Sequence, residues 1–304
     1  MRIKLAALTV VALMALALTF PAARTKAVTP PADQASQQIH GLMTQINTQL
    51  ESSGAAYRVD YAEYITSLDS ANEVGQTVFF NNRGNKQLTA HFVPADPRRG
   101  GASNITYIVD QTEGAVDGLT TAQTTAAIDR AMVTWEGVNC SNIPIVKLPD
   151  INGLDLGVVE FQNGLGGSPF VFADVTHAGW LPGGILSPNV IGVTFTFIFI
   201  NPDTSPTDID NNKKADVAFR EILYNNAFAW AINGNIDVET VALHESGHGL
   251  SQGHFGKAFV TNSNGKLHFS PLAVMNAAYS GVQQGLSGTD NAGHCSIWGS
   301  WPNN

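Results

Sequence analysis

The sequence predicts an α+β fold in which a twisted mixed sheet lies beside two long helices. Short runs of β-branched and aromatic residues recur between residues 104 and 200, which is typical of strands. A capping box formed by Thr120 and Gln123 predicts the first long helix. The second long helix is predicted near residue 240, after the strands, and this order fits an α+β domain.

The chain begins with the pattern of a secretory signal peptide, predicted over residues 1–23. Arg2 and Lys4 form a basic start, an apolar run covers residues 5–20, and small residues follow. An uncleaved membrane anchor is the alternative, because the apolar run approaches the length that spans a membrane. Since no second long apolar stretch follows, we expect a secreted protein, extracellular or periplasmic, without membrane contact after cleavage.

The composition agrees with export and argues against one class of partner. Charged residues make up 13% of the chain and the formal net charge is −9, which is unfavourable for binding nucleic acid. The sequence contains two cysteines, Cys140 and Cys295. In an oxidising compartment they predict a single disulfide that closes a long loop, and two buried free thiols are the alternative.

Residues 24–103 are predicted to form a pro-region or accessory segment. Apolar residues at helical spacing predict a helix over 33–50. Two short strands are predicted after it, at residues 78–80 and 90–93. Proline, glycine and arginine in 94–103 are typical of an exposed linker, where Arg98 and Arg99 form either a processing site or a solvated basic turn. If the segment is removable, we expect it to act as a cover that blocks part of the main domain sterically.

Residues 104–304 are predicted to form the main domain. Strands are predicted at residues 105–109, 143–148, 156–161, 170–176 and 191–200. The helix after Thr120 carries its apolar residues on one face, at Ile128, Met132 and Trp135. An acidic loop at 201–216 leads to an expected helix at 217–224, and a further helix begins with Asp237 as its N-cap.

Residues 244–254 read HESGHGLSQGH and carry the chemistry of the chain. On a helix, His244 and His248 project from one face, so both imidazoles can reach one Zn²⁺. Glu245 can then take a proton from a water molecule that the metal activates. A third ligand is required, and His254 is the candidate, because glycines allow the chain to turn after the helix. A buried helix whose histidines bind carbonyl groups is the alternative.

Other residues can be weighed as metal ligands. A downstream glutamate is excluded, because no glutamate follows Glu245. Asp290 is better explained as an N-cap, and His268 and His294 are further candidates. The loop at 201–216 offers oxygen ligands at partly alternating spacing, which is compatible with Ca²⁺ or with a solvated acidic loop. Those oxygen ligands are Asp203, Asp208, Asp210, Asn212 and Asp216.

The run at 244–254 resembles the zinc-binding signature of the metzincin peptidases, H-E-x-x-H-x-x-G-x-x-H. Residues 273–276, which read Ala-Val-Met-Asn, are similar to the methionine turn of that family. Residues 285–299 resemble the C-terminal helix of its matrixin branch. The resemblance extends over about residues 104–299. It implies a metzincin-like catalytic domain in which Met275 is a structural residue beneath the metal.

The same resemblance implies how substrates bind. His177 and Ala178 resemble part of the edge strand of matrixins, and this strand, near residues 170–177, is expected to bind the substrate backbone as an added strand. Tyr279 either lines the specificity pocket, contacts the oxyanion or is an ordinary core aromatic residue.

Four positions depart from the family pattern. Ser251 replaces a glycine where the chain leaves the helix, at a cost of about 1 kcal/mol in backbone strain. Thr289 replaces the first residue of an acidic pair, and Phe255 replaces a serine. Arg99 stands where the matrixin pro-region has the cysteine that blocks its zinc, so a thiolate switch is excluded. His177 matches a ligand of a second, structural zinc of matrixins, but the sequence offers no partners for it.

These residues predict a secreted zinc-dependent endopeptidase that hydrolyses proteins or peptides. His244, His248 and His254 hold one catalytic Zn²⁺, and Glu245 is the general base that later returns the proton to the leaving amine. The alternative from another class is a catalytically silent, zinc-stabilised extracellular binding or surface protein with the same fold. Retention of Glu245 favours the enzyme, because a purely structural site needs no base.

Overall fold

A mixed sheet with helices packed on both faces forms the centre of the molecule in the computed structural model. The structure describes residues 34–67, 74–81, 90–110, 112, 116, 118–151, 153–261 and 267–303. The helices in this part of the chain are α1 (Gln34–Ser52), α2 (Thr121–Glu136), α3 (Val158–Asn163), α4 (Val238–Gly249) and α5 (Gly288–Trp298). The strands are β1 (Tyr57–Ser67), β2 (Thr77–Phe79), β3 (Ala90–His91), β4 (Ile105–Val109), β5 (Ile145–Lys147), β6 (Val175–Leu181), β7 (Val190–Phe199), β8 (Ala215–Asn225), β9 (Trp230–Ala231), β10 (Ile236–Asp237), β11 (Lys257–Val260), β12 (Leu267–Ser270) and β13 (Ala278–Tyr279).

The main sheet has the strand order β13-β1-β7-β8-β6-β4-β5. Strands β8, β6, β4 and β5 are parallel, whereas β7 is antiparallel to its neighbours β8 and β1. Strand β1 is parallel to β13, and the short strands β2 and β3 pair with β1 and β8. This mixed α/β architecture with a mixed sheet is compatible with the predicted α+β class, and both predicted long helices are present as α2 and α4.

Two apolar cores lie on opposite faces of the sheet. The first contains the buried sides of α2 and α4, and the second contains α1 and α3. Strand β1 contributes to both cores, because successive side chains of a strand point to opposite faces. Tyr61 and Ile65 belong to the first core, and Ala62 and Tyr64 to the second. The segment before residue 104 is therefore built into the packing of the domain.

Helix α2 confirms the predicted capping box. The hydroxyl of Thr120 accepts a hydrogen bond from the backbone N–H of Gln123, and the Gln123 side chain binds back to the N–H of Thr120. Ile128, Met132 and Trp135 are buried on one face of the helix, as their spacing predicts. The helix predicted at 33–50 is likewise confirmed as α1.

The prediction of a helix at 217–224 is wrong, because these residues form the middle of strand β8. Every residue of β8 is buried, so both of its faces are covered and it lacks the apolar–polar alternation of a half-exposed strand. A short, continuously buried run cannot be distinguished from a buried helix by periodicity alone. Pairing with β6 and β7, which lie far away in the sequence, decides the conformation.

The prediction of a strand at 156–161 is also wrong, because residues 158–163 form helix α3. The carboxylate of Glu221, on β8, accepts hydrogen bonds from the backbone N–H groups of Val158 and Val159 at 2.9 Å each. A carboxyl group at a helix N-terminus satisfies donors that have no partner within the helix. A contact from a distant strand therefore favours the helix over the local strand-like pattern.

The expected edge strand is a third correction. Residues 175–181 form β6, which lies between β8 and β4 inside the sheet. Residues 175–177 of β6 are paired with β4 on one side and with β8 on the other, so this part of the strand has no open edge to which a peptide could add. His177 is accordingly a buried residue, whose Nδ1 lies 2.8 Å from the hydroxyl of Tyr224.

The segment at 94–103 is mostly exposed, as its composition predicts, but ion pairs anchor two of its arginines to the domain. Residues Pro97–Arg99 form a 3-10 turn. The Arg98 guanidinium forms ion pairs with Asp96 and Asp216, and Arg99 Nε lies 2.7 Å from Asp174. Arg99 differs from a solvated basic turn residue, because its side chain is only 3% exposed.

The predicted disulfide is confirmed. Cys140, after α2, and Cys295, in α5, are bonded across a sequence separation of 155 residues. The described residues all belong to one compact unit. Proteolytic removal of residues 24–103 stays a prediction.

The predicted signal peptide, residues 1–23, lies outside the described residues. Among the helices that the structure describes, none combines the length and the apolar character needed to cross a membrane.

Candidate metal centre

Helix α4 presents the metal motif from a fully buried position. Asp237 is its N-cap, as predicted, and its carboxylate accepts hydrogen bonds from the backbone N–H and the hydroxyl of Thr240. All twelve residues of α4 are buried. The helix is thus held by packing on all sides, which fixes the directions of His244 and His248.

The chain turns sharply at Ser251 and brings His254 back toward α4. Ser251 has a φ of 69°, in the left-handed region that favours glycine, as the resemblance to the metzincin motif implies. Its hydroxyl accepts a hydrogen bond from Arg220 Nη1 at 2.8 Å and lies 3.0 Å from His91 Nδ1. These contacts offset the strain of a non-glycine residue at the turn.

The three predicted histidine ligands meet at one point. The Nε2 atoms of His244 and His248 are 3.0 Å apart, those of His248 and His254 3.1 Å, and those of His244 and His254 3.2 Å. Three nitrogens bound tetrahedrally to Zn²⁺ at 2.0–2.1 Å would be about 3.3 Å apart. The group could therefore hold a metal ion.

The hydrogen bonds behind two of these rings determine which nitrogen carries the proton. His244 Nδ1 is 2.7 Å from the carbonyl of Val274, and His248 Nδ1 is 2.7 Å from the carbonyl of Gln252. Because a carbonyl oxygen only accepts, each Nδ1 is a donor and each neutral ring has its lone pair on Nε2. Two lone pairs at 3.0 Å repel each other unless a cation lies between them. The donor set therefore fits a divalent metal.

The pKa shifts of the ligands reflect burial and one neighbouring charge. Burial lowers the pKa of His244 and His254 well below the ordinary value, which keeps them neutral. Burial also acts to lower the pKa of His248, but the charge and hydrogen bonding of Glu63 outweigh it, so this pKa is raised. A proton and a metal thus compete for His248.

Glu245 lies on the same helix with one oxygen held and the other free. Its Oε2 accepts a hydrogen bond from Thr194 Oγ1 at 2.6 Å, and among the described residues its Oε1 has no hydrogen-bond partner. Gly192 makes room for the carboxylate, because a Cβ there would lie 2.9 Å from Oε1. Burial raises the pKa of Glu245 to about 7, which suits a group that exchanges protons near neutral pH.

Met275 lies against the backbone of α4. A Cβ on Gly247 would come within 2.3 Å of the Met275 sulfur, so only glycine allows this close packing. The carboxylate of Asp290 accepts hydrogen bonds from the backbone N–H groups of Val274 and Met275 at 3.0 and 3.1 Å. This placement is compatible with the predicted structural role of Met275.

Asp290 binds backbone N–H groups and does not belong to the cluster of three histidines. It is the third residue of α5 and completes a capping box with Ser287, whose N–H it accepts at 2.7 Å. The N-cap is therefore Ser287, and Asp290 reaches back to it. His294 stacks on Trp135, and His268 lies beside Thr261, so neither belongs to the histidine cluster.

Tyr279 is buried at the start of α4. Its hydroxyl accepts a hydrogen bond from the backbone N–H of Asp237 at 3.1 Å. Of the three roles predicted for Tyr279, this contact favours an ordinary core aromatic residue that also fixes the beginning of the helix.

The acidic loop divides into two parts. Asp208, Asp210 and Asp216 lie close enough for their carboxylates to share an ion, whereas Asp203 binds Ser205. Asp216 is already paired with Arg98 Nη2 at 2.8 Å. Calcium binding stays a prediction.

Two buried residues beside the metal centre were not predicted from the sequence. Glu63, on β1, has its Oε2 3.1 Å from His248 Nδ1. Thr194, on β7, is its cross-strand partner and donates to Glu245. The stretch Tyr57–Ser67 has the β-branched and aromatic content of a strand, so an acidic residue within it was the available signal.

A cavity of about 510 Å³ opens beside His254. It is lined by β2, β3, the turn after α4 and α5, and includes the buried side chains of His91 and Gln252. The cavity is an approach from solvent to the third ligand of the cluster.

Comparison of the chain with protein-family models gives no match, and comparison with curated proteins gives none either. The metzincin resemblance therefore rests on the motif residues themselves, and membership of that family stays a prediction.

Proposed function

We propose that this protein is a secreted zinc-dependent endopeptidase with a metzincin-like catalytic domain. The observation that carries the proposal is the convergence of three imidazole Nε2 atoms, two of which carry a lone pair in the neutral ring, next to a buried glutamate. Three protein ligands that leave one position open are typical of catalytic zinc, whereas structural zinc has four.

The residues around the group support hydrolysis. Zinc, when bound, would supply the positive charge that acidifies a water molecule and polarises a carbonyl group. Glu245 accepts the proton of the attacking water at Oε1 and delivers it to the leaving amine. Thr194 holds the other carboxylate oxygen and so keeps Oε1 in a constant orientation.

The proposed substrate class and the proposed secretion of the protein are supported by separate observations. The choice of peptide bonds rests on the motif at 244–254 and the methionine turn at 273–276. Secretion is supported by the basic and apolar start of the sequence and by the disulfide between Cys140 and Cys295, since disulfides persist in oxidising compartments.

A catalytically silent, zinc-stabilised protein is the second candidate, and burial of the centre favours it. His244, Glu245 and His248 are at most 1% exposed. The edge of β7 that faces away from β8 is paired with β1 over most of its length, so an extended peptide could not add there without displacing β1. Among the described residues, the cavity beside His254 offers substrate an approach to the centre.

Zinc content and hydrolysis of casein and gelatin distinguish the two candidates. Wild type, Glu245→Gln and the control Glu239→Gln, on the same helix, should each carry one zinc. We expect Glu245→Gln to lose about 100-fold or more in rate, because a general base contributes on the order of 10²–10⁴, and the control to cleave like wild type. If wild type and Glu245→Gln both hold zinc and cleave equally poorly, the silent protein is correct.

A further inference from the structure

A carboxylate from the N-terminal part of the chain lies directly behind one predicted metal ligand. Glu63 is 1% exposed, and its Oε2 is 3.1 Å from Nδ1 of His248, the nitrogen on the side away from the histidine cluster. The same Nδ1 donates to the carbonyl of Gln252 at 2.7 Å. Two acceptors from different parts of the chain therefore face one ring nitrogen.

The position of Glu63 is determined by strand pairing. In β1, Glu63 is opposite Thr194 of β7 on one side and Thr77 of β2 on the other. Thr77 Oγ1 donates to Glu63 Oε1 at 3.2 Å. The pairing also puts Glu63 next to the residue that holds Glu245, so one cross-strand pair supports both a ligand and the general base.

Burial of Glu63 is unfavourable unless the carboxylate has partners. An isolated buried carboxylate costs several kcal/mol, and buried charges persist where they are paired or hydrogen-bonded. The polar partners of Glu63 described above are the Thr77 hydroxyl and the His248 ring. A carboxylate hydrogen-bonded to a ligating histidine fixes the ring orientation and makes the metal-binding nitrogen more basic.

We propose that Glu63 is a positioning residue of the metal centre, which together with the Gln252 carbonyl holds His248 so that its Nε2 faces the metal. The proposal rests on the proposed function, since it requires that the histidine cluster binds a metal. It makes the segment before residue 104 a permanent component of the centre.

Zinc affinity of the full chain, measured by competition with a chromophoric chelator, tests this role without any activity assay. Glu63→Gln keeps the shape of the side chain and removes its charge. We expect its zinc dissociation constant to rise about 10–100-fold, the usual effect of losing such a partner. Glu63→Asp, which keeps the charge, should recover part of the loss.

Glu221→Gln is the matched control, because Glu221 is an equally buried carboxylate of the same sheet that binds α3 instead of a metal ligand. It should bind zinc like wild type. Equal affinities of wild type and Glu63→Gln, or equal losses in Glu63→Gln and Glu221→Gln, would overturn the proposal. Hydrolysis by wild type alongside such a result would leave the proposed function standing, whereas a specific Glu63 effect without any hydrolysis would reject only the peptidase activity.

Thr77→Val provides a second test if Glu63→Gln does not fold. It removes the hydrogen bond to Glu63 Oε1 and leaves the carboxylate in place, whereas Thr77→Ser keeps the hydroxyl. Zinc binding should weaken in Thr77→Val and remain at the wild-type level in Thr77→Ser. Equal affinities of these two variants, both folded, would contradict the role of Glu63.

Discussion

His254 is the residue on which metal retention depends most directly, because it joins the cluster from outside helix α4. The two helical ligands are fixed by packing on all sides, but His254 follows the strained turn at Ser251. We expect His254→Ala to lose zinc during dialysis against micromolar free metal, since two imidazoles leave the ion half-coordinated. Zinc per chain is measured by atomic absorption, with His268→Ala as the control. Full occupancy in His254→Ala would show that the third ligand is a different residue.

Glu221 is a second residue whose environment has a measurable consequence. Burial raises its pKa from the ordinary 4.5 to about 7. As pH rises from about 4.5 to 7, the unfolded chain releases this proton and the folded chain keeps it. The contribution of Glu221 to stability is therefore fully present below pH 4.5 and is lost as pH rises through 7, which amounts to roughly 3 kcal/mol.

Urea unfolding of metal-free wild type and Glu221→Gln across this pH range checks the sign. The free energy of unfolding of wild type should fall more steeply between pH 4.5 and 7 than that of the variant, and the two slopes should agree above pH 8. Other groups with shifted pKa values, including Glu245, are the same in both proteins and cancel in the difference. Parallel curves throughout would show that Glu221 is ionised in the folded protein.

The residues of the metal centre form two groups, according to how far apart they lie in the sequence. His244, Glu245, His248 and His254 lie within eleven residues, so helical spacing and a turn were sufficient to predict that they meet. Glu63 and Thr194 approach them only because β1 pairs with β7 across more than a hundred residues. Local patterns contain no information about such pairing. The acidic residue in a strand-like stretch is visible in the sequence, but its approach to the metal ligands could not be predicted from it.

The helices and strands also divide into those that local signals predict and those that depend on distant contacts. The capped helices α2 and α4 were predictable, because caps and helical spacing are local signals. The conformations of β8 and α3 depend on distant partners, namely the neighbouring strands of β8 and the Glu221 carboxylate at the start of α3. Both were mispredicted for that reason.

Strand β1 is the element with the largest consequence for the domain. It lies between β13 and β7, and residues 59–65 are wholly buried. Together with α1 it covers the second apolar core, which includes Val193, Phe195 and Phe197 of β7. A chain lacking α1 and β1 would expose these side chains and leave β7 as a long unpaired edge.

We therefore expect a chain beginning at Ala102 to be insoluble or unable to bind zinc, and not to be more active than the longer protein. A chain beginning at Ala32 is the control and should fold. Soluble expression, circular dichroism and zinc content decide the outcome. A soluble, zinc-loaded short form that hydrolyses casein faster than the control would instead identify residues 24–103 as a removable cover, as the sequence predicts.

At the scale of the whole molecule, the disulfide joins the segment after α2 to α5, and α5 contacts the backbone next to the metal centre. Cys295 lies in α5, and Asp290 of the same helix accepts hydrogen bonds from the backbone N–H groups of Val274 and Met275. The carbonyl of Val274 in turn accepts a hydrogen bond from His244 Nδ1. In the chain-entropy description, a cross-link over 155 residues stabilises the folded state by up to about 5 kcal/mol.

Alkylation of the unreduced protein should label neither Cys140 nor Cys295, and mercurial reagents should not change its activity. The variant with Cys140→Ser and Cys295→Ser should unfold at a lower urea concentration, by about 2–5 kcal/mol in free energy. Its zinc affinity should change far less, because Asp290 still binds the methionine turn in the folded state. Chelator competition at low urea, followed by unfolding with zinc present, separates the two effects. An equal loss in affinity and stability would mean that the disulfide itself, and not the Asp290 contacts, positions the turn beneath α4.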